Sequence, residues 1–207
     1  MIKGRPKFGM DMDGLEADTY GKYNSPNSFV PWFNRKYGTK FTVRDYYEPG
    51  DGLSKFGIPY HDWVAEFSHF INEVGYTGLS HMQGAREGII RLASMAEIIR
   101  ITGRNKDYLS HTSSWVEKHI PEVNGKIRFS LNYFHPREGL PTKAKICREE
   151  GVVLMIEDEV KHAMQCAEEG ISTILFHPDN YGYKLHPLIT VVWDWEEIVY
   201  TAEKLMI

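Results

Sequence analysis

The sequence predicts an α/β fold, a parallel sheet sandwiched between helices, with a helical insertion after its first strand. Three observations carry that reading. Short apolar segments alternate with helical patterns through the second half of the chain, which implies right-handed βαβ crossovers. Residues 152–156 and 172–176 are continuous apolar runs, as fully buried parallel strands are. Residues 14–82 break the alternation and are crowded with aromatic side chains.

Each element has its own local signal. Residues 7–10 form a short apolar-leaning strand that ends at the acidic turn Asp11-Met12-Asp13-Gly14. Residues 28–37 and 61–74 have helical spacing within the aromatic interval. A loop of that length is improbable inside a compact domain, so the interval reads as an inserted, mostly helical cap. The expected division is a core of residues 1–18 and 82–207 and a cap of residues 19–81. A helix over 84–95 leads into a strand over 96–102, turned by Gly103-Arg104-Asn105. A helix over 107–119 follows, then a strand over 126–133 whose apolar and polar residues alternate. The helix over 142–150 stops at Gly151, and the helix over 160–169 stops at Gly170, both as C-caps. Residues 188–193 are expected as an edge strand and 195–206 as a closing helix.

Composition narrows the function. The 207 residues carry a net charge of −4, so the basic footprint of a nucleic-acid-polymer binder is missing. The first residues are charged but lack a following apolar run, so no signal peptide is expected. No stretch approaches the ~20 apolar residues of a membrane span. Cys147 and Cys166 are the two cysteines, expected as reduced, buried thiols of a cytoplasmic protein.

Polar residues gather where the strands end. Asp11 and Asp13, two apart on an extended segment, point to the same side. One carboxylate can serve as nucleophile and the other can handle protons. Gly14 lets the chain turn away. Thr102 ends the second strand, Lys143 begins a helix, and Glu157-Asp158 end the fourth strand. Ligands of parallel α/β sheets bind beyond the carboxyl ends of the strands, so these residues can converge. Phosphoryl transfer requires an aligned nucleophile, neutralised phosphoryl oxygens and a proton for the leaving group. Asp11, Asp13, Asp158 and a phosphate dianion repel, at about 4 kcal/mol per pair 4 Å apart at an effective dielectric of 20. A cation is therefore expected, and oxygen donors favour Mg²⁺. Taken singly, each feature is an ordinary turn, strand or helix-start residue; the ordered set carries the reading.

With those motifs in place, the chain resembles the haloacid dehalogenase-like hydrolase superfamily along nearly its whole length. Asp11-Met12-Asp13-Gly14, Thr102-Gly103, Lys143 and Glu157-Asp158 match its four motifs in order. Within it, the chain is most similar to the 5′(3′)-deoxyribonucleotidase and nucleotidase-like group. The resemblance implies a three-layer αβα Rossmann-like fold with sheet order 5-4-1-2-3. It implies Asp11 as nucleophile and metal ligand, and Asp13 as general acid/base whose backbone carbonyl also touches the metal. It implies Asp158 as the third ligand, with Thr102, Gly103 and Lys143 on the phosphoryl group. Glu157 stands where the nucleotidases usually have Asp, and Leu15 where many relatives have Val or Thr. Lys145 competes with Lys143 for the phosphate role.

The expected activity is Mg²⁺-dependent hydrolysis of a small phosphomonoester, such as a nucleoside monophosphate, through an aspartyl-phosphate. A non-catalytic phospho-ligand-binding module and a phosphotransferase are the alternatives. For substrate contact the cap offers Trp32, Phe33, Tyr46 and Tyr47, whose faces could stack on a base, although for most of the cap aromatics packing into the cap's own small core is the favoured reading. Arg104, also a candidate substrate-binding residue, and Arg137 lie on loops at the same end, where either could meet a phosphate or a substrate carboxylate, with a solvated arginine the favoured reading for each; His135 on the same loop is expected as a surface histidine. His69 and His81 have no metal-ligand spacing.

Overall fold

The computed structural model describes residues 4–23, 25–47, 57, 60–131, 139–176 and 184–206. Its elements, in order, are β1 (Lys7–Met10), α1 (Phe29–Tyr37), α2 (Val43–Tyr47), α3 (Tyr60–Val74), α4 (Ala85–Met95), β2 (Glu97–Thr102), α5 (Leu109–His119), β3 (Lys126–Phe129), α6 (Lys143–Glu150), β4 (Val152–Glu157), α7 (Val160–Glu168), β5 (Ser172–Phe176), β6 (Ile189–Val192) and α8 (Trp195–Leu205). The six strands form one parallel sheet in the order β3-β2-β1-β4-β5-β6. This is the expected order with the edge strand added beyond β5.

Side chains alternate across the sheet and build two cores. Phe8, Met10, Ile98, Leu154 and Ile156 face one side, where α4, α5 and α8 supply Ile89, Leu92, Trp115, Trp195 and Ile198. Ile99, Ile101 and Met155 face the other, against Ile146 and Cys147 of α6 and Cys166 of α7. That is the three-layer arrangement. Both cysteines are free and buried, as expected. Gly9 is required where β1 passes under its neighbours: a Cβ there would lie 2.8 Å from the Met155 sulfur. Val153 departs from the expectation of a fully buried β4. It sits near the amino end of the strand and is 47% exposed, in a surface hollow it lines with Leu205 and Met206 at the end of α8.

The central position of β1 decides where the chemistry sits. Its neighbours are β2 and β4, so the carboxyl ends of three adjacent strands open onto one place. The ladder continues one residue past β1, where the Asp11 N–H donates to the Ile156 carbonyl at 3.0 Å. Gly14 then takes φ +80°, and the chain leaves the sheet. It returns alongside its own exit: the Asp18 N–H donates to Ser80 O and the Met82 N–H to Glu16 O. Between these points lie α1, α2 and α3. α1 is capped at its end by Gly38 in the left-handed region and buries Phe29, Val30, Trp32 and Phe33.

Local signals set the remaining boundaries. Thr142 caps α6 by accepting from the Lys145 N–H, which places Lys143 in the first turn with its stem directed inward. Gly151 ends α6 at φ +71° and Gly170 follows α7 at φ +79°. The third strand is shorter than expected, ending at Phe129; residues 132–133 lie outside the described residues.

Candidate active site

Asp11 stands at the end of β1, 6% exposed, and its Oδ2 lies 2.8 Å from Lys143 Nζ. The same ammonium lies 2.8 Å from Glu157 Oε2. Lys143 therefore bridges the end of β1 to the end of β4. Burial alone would lower its pKa, but the Asp11 and Glu157 carboxylates outweigh that and hold it protonated. Of the two candidate lysines, Lys143 is buried in this cluster, while Lys145 is exposed. Burial and the Glu157 charge push Asp11 well above the usual carboxylate range, against the pull of Lys143. Burial likewise raises Glu157, to about 7.

Glu157 has a second task. Its Oε1 accepts from the backbone N–H groups of Asp158 and Glu159, both at 3.2 Å. It thereby shapes the turn that presents Asp158, and the longer side chain still reaches Lys143. Asp11, Glu157 and Asp158, all buried, each offer an oxygen within 4.8 Å of the others. Three converging carboxylate oxygens suit a hard divalent cation, so the donor set fits the expected Mg²⁺.

Asp13 is not one of those three and has partners of its own. Arg104 grips it with two parallel bonds, Nε to Oδ2 at 2.9 Å and Nη2 to Oδ1 at 2.8 Å. The Thr19 hydroxyl donates to Oδ1 at 2.5 Å. Burial would raise the Asp13 pKa, yet Arg104 and Thr19 bring it below the usual carboxylate value. The solvated arginine expected at position 104 is thus overturned. Arg104 is 3% exposed and its guanidinium lies over the Tyr76 ring at 4.2 Å. Its backbone N–H donates to the Thr102 hydroxyl oxygen at 3.1 Å, which ties the end of β2 to Asp13. Gly103 lies between them, half-buried.

The aromatic residues separate into two groups. Trp32 and Phe33 are 3% and 2% exposed, packed with Phe29 and Phe70 in a continuous cluster. Neither presents an open face to a ligand, because the amphipathic side of α1 is spent on holding the inserted helices to the body. Tyr46 is half-buried and stacks on Tyr20, with ring centroids 4.5 Å apart. Burial pushes both phenols well above the usual range, and the Asp13, Asp158 and Glu159 charges push the same way. Tyr20 directly follows Thr19, whose hydroxyl donates to Asp13, so the stacked pair adjoins that carboxylate along the chain. The side chain of Tyr47, and all of His135 and Arg137, lie outside the described residues.

Several participants were not singled out in the sequence. Tyr20 and Thr19 follow the D-x-D-G turn directly, and that proximity was the available signal. Lys22 lies on the same segment, 5% exposed, with its Nζ 3.3 Å from Asp158 Oδ2 and 2.8 Å from the Gly14 carbonyl. Four carboxylates, of Asp11, Asp13, Glu157 and Asp158, thus meet three cations, of Lys22, Lys143 and Arg104.

Comparison with known proteins follows the same lines. The family described as "5' nucleotidase, deoxy (Pyrimidine), cytosolic type C protein" is matched over residues 5–130. A candidate nucleotidase of Bacillus subtilis (strain 168), YqfW, is 24% identical over 197 residues, covering 93% of this chain and 91% of the relative. Among solved structures, a haloacid dehalogenase-like protein of unknown function from Agrobacterium tumefaciens str. C58 superposes with a TM-score of 0.65 at 13% identity, covering 99% of this chain and all (100%) of the other. The candidate HAD-hydrolase YfnB from Bacillus subtilis, bound to magnesium, superposes with a TM-score of 0.60 at 13% identity, covering 96% of this chain and 99% of the other. These two structures share the fold.

Proposed function

The chain belongs to the 5′ nucleotidase, deoxy (pyrimidine), cytosolic type C protein family, within the haloacid dehalogenase-like superfamily, and from that premise we propose that it is a Mg²⁺-dependent phosphatase. Its substrate is a small phosphomonoester, with nucleoside monophosphates the first class to examine. One observation carries the reading: Asp11 and Asp13 sit at the end of the central strand, the first joined to Lys143 and Glu157, the second to Arg104 and the end of β2.

In this mechanism Asp11 attacks phosphorus through a carboxylate oxygen, forming an aspartyl-phosphate while the bond to the leaving alcohol breaks. Lys143 steers the nucleophile and offsets charge on the phosphoryl oxygens. The Thr102 hydroxyl and the Gly103 backbone hold a phosphoryl oxygen without adding charge. Asp13 delivers a proton to the leaving oxygen, then takes one from the water that cleaves the aspartyl-phosphate. The Arg104 clamp keeps Asp13 ionised in the free protein, which suits the second of these steps; for the first, the proton that Asp13 passes to the leaving oxygen comes from the monoanionic phosphate ester itself as it binds. Asp11 and Asp158, with the Asp13 backbone carbonyl, would hold Mg²⁺, which supplies charge neutralisation for the phosphoryl group. The inserted helices, residues 19–81 in the expected division, stand over the catalytic carboxylates, and the Tyr20–Tyr46 pair would meet the substrate's leaving group.

A phosphate-release screen over nucleoside monophosphates, sugar phosphates and amino-acid phosphates, with Mg²⁺ and with chelator, tests the proposal. Release that needs Mg²⁺ and disappears in Asp11→Asn supports it. Undiminished release by Asp11→Asn would sink the mechanism. Binding of phosphate esters without release would favour the non-catalytic module.

A further inference from the structure

Lys22 has no part in the chemistry above, yet its ammonium is lodged among the catalytic carboxylates. The side chain is 5% exposed. Its Nζ approaches Asp158 Oδ2 at 3.3 Å and donates to the Gly14 carbonyl at 2.8 Å. The ring of Phe176, at the end of β5, lies 4.7 Å from the charge. The segment that carries it is held firmly. Asp18 accepts the Gly21 and Tyr23 N–H groups, on either side of Lys22, and the Ser28 hydroxyl donates to the Asp18 carbonyl. Gly21 takes φ +100° with Pro31 closing over it, where a Cβ would approach to 2.7 Å. A long cationic side chain thus reaches a buried carboxylate from a turn that is already fixed.

We propose that Lys22 is a tethered cation that competes with the divalent ion for Asp158. The proposal rests on the reading of Asp158 as a Mg²⁺ ligand. A divalent ion at Asp158 and the Lys22 ammonium repel at close range, and in a buried setting that repulsion is screened little; Lys143 already sits on Asp11, so a second ammonium at the same site adds to the charge the ion must face. In metal-free protein the ammonium satisfies Asp158 and restrains the repulsion among Asp11, Glu157 and Asp158. When the divalent ion takes the carboxylate, the ammonium gives it up. Metal affinity is then set by the carboxylates present and also by the cost of displacing Lys22. Because Lys22 lies on the segment leaving the D-x-D-G turn, its release couples metal occupancy to the start of the inserted helices.

Mg²⁺ titration calorimetry on the full chain without substrate tests this in wild type, Lys22→Met and Lys22→Arg. Methionine keeps the stem over Phe176 and removes the charge. Lys22→Met is expected to bind Mg²⁺ about tenfold more tightly than wild type, as removal of a nearby like charge dictates. Lys22→Arg, which keeps the charge, is expected to bind no more tightly than wild type. Equal or weaker binding by Lys22→Met overturns the competition while leaving the metal site intact. Absence of binding in all three proteins overturns the metal reading beneath it. Should Lys22→Met fail to fold, Lys22→Gln carries the same comparison. The wild-type protein gives a separate readout: the Lys22 side-chain ammonium resonance in ¹⁵N NMR is expected to move and exchange faster with water as Mg²⁺ is added. A resonance unchanged at saturating Mg²⁺ also overturns the proposal.

Discussion

Arg104 and Asp13, 91 residues apart in sequence, are joined by two parallel N–H···O bonds of 2.9 and 2.8 Å. A bidentate guanidinium–carboxylate pair fixes both position and charge state. Asp13 is expected to transfer protons, so its partner should govern the pH dependence of the rate. Arg104→Gln removes the charge that holds Asp13 below its ordinary value. The acidic limb of aspartyl-phosphate hydrolysis, the step in which ionised Asp13 takes a proton from water, is then expected to move to higher pH, with the rate of that step at neutral pH lowered roughly 10²-fold, within the usual span of a general acid/base. Arg104→Lys keeps the charge but cannot present the fork, so a smaller rate loss with little movement of the limb is expected. An unmoved acidic limb in Arg104→Gln would detach Arg104 from Asp13's chemistry.

Glu157 gives the metal-free protein a pH-dependent stability of definite sign. Burial, against the opposing pull of Lys143, raises it from the ordinary 4.5 to about 7. The folded state therefore holds this proton more firmly than the unfolded chain between those values. Its contribution is fully present below about 4.5 and is lost as the pH rises through about 7. Melting temperatures of metal-free wild type and Glu157→Gln, measured from pH 4.5 to 8, check this. The wild-type curve is expected to fall relative to the variant across that window, by up to one proton per molecule in linkage terms. Parallel curves would remove Glu157 as the source. Mg²⁺ should reduce the difference, because a cation at the cluster favours the ionised carboxylate.

The fold was legible because its signals are local. Apolar runs over β4 and β5, glycines after α6 and α7, and a capping Thr142 each act within a few residues. The site was legible as far as strand ends could place it: Asp11, Asp13, Thr102, Lys143 and Asp158 need only the right topology to meet. The ion pairs were hidden for the converse reason. Lys22 finds Asp158 across 136 positions, and Arg100 of β2 finds Glu16 across 84, both fully buried in the latter pair. No periodicity marks such partners; charged residues are almost never fully buried unless paired, and sequence does not name the pair. The electrostatic argument for a cation accordingly left out Lys22 and Arg104, which the structure places against Asp158 and Asp13. The aromatic interval left packing and stacking open for a related reason, since one helical spacing serves both a packed face and an open one.

Asp158 is expected to control the metal requirement. Asp158→Ala removes a carboxylate from the group with Asp11 and Glu157. The Mg²⁺ concentration for half-maximal activity should rise at least tenfold, while activity at saturating Mg²⁺ is partly retained because Asp11 remains. Chelator should abolish activity in both proteins, and Mg²⁺ should restore it. An Asp158→Ala enzyme with the wild-type Mg²⁺ titration would place the metal elsewhere.

The two classes of aromatic residue should separate in a single experiment. Trp32 is buried against Phe29 and Phe70, with centroids 5.8 and 5.5 Å away. Trp32→Leu is expected to cost about 2–4 kcal/mol of stability, somewhat below the usual loss for a buried Trp→Ala. Any effect on activity should fall equally on a nucleoside monophosphate and on a small aryl phosphate, because the whole inserted segment loosens. Tyr46 is half-buried and stacks on Tyr20. If a nucleobase packs there, replacing Tyr46 by Leu forfeits about 1–3 kcal/mol of stacking. KM for the nucleotide should then rise roughly tenfold, while the aryl phosphate, which has no base to stack, is turned over as before. Thermal melts and the two substrate series, run together on Trp32→Leu and Tyr46→Leu, distinguish these outcomes. Equal losses on both substrates in Tyr46→Leu, with a lowered Tm, would return Tyr46 to the packed cluster and leave substrate selection to residues outside it.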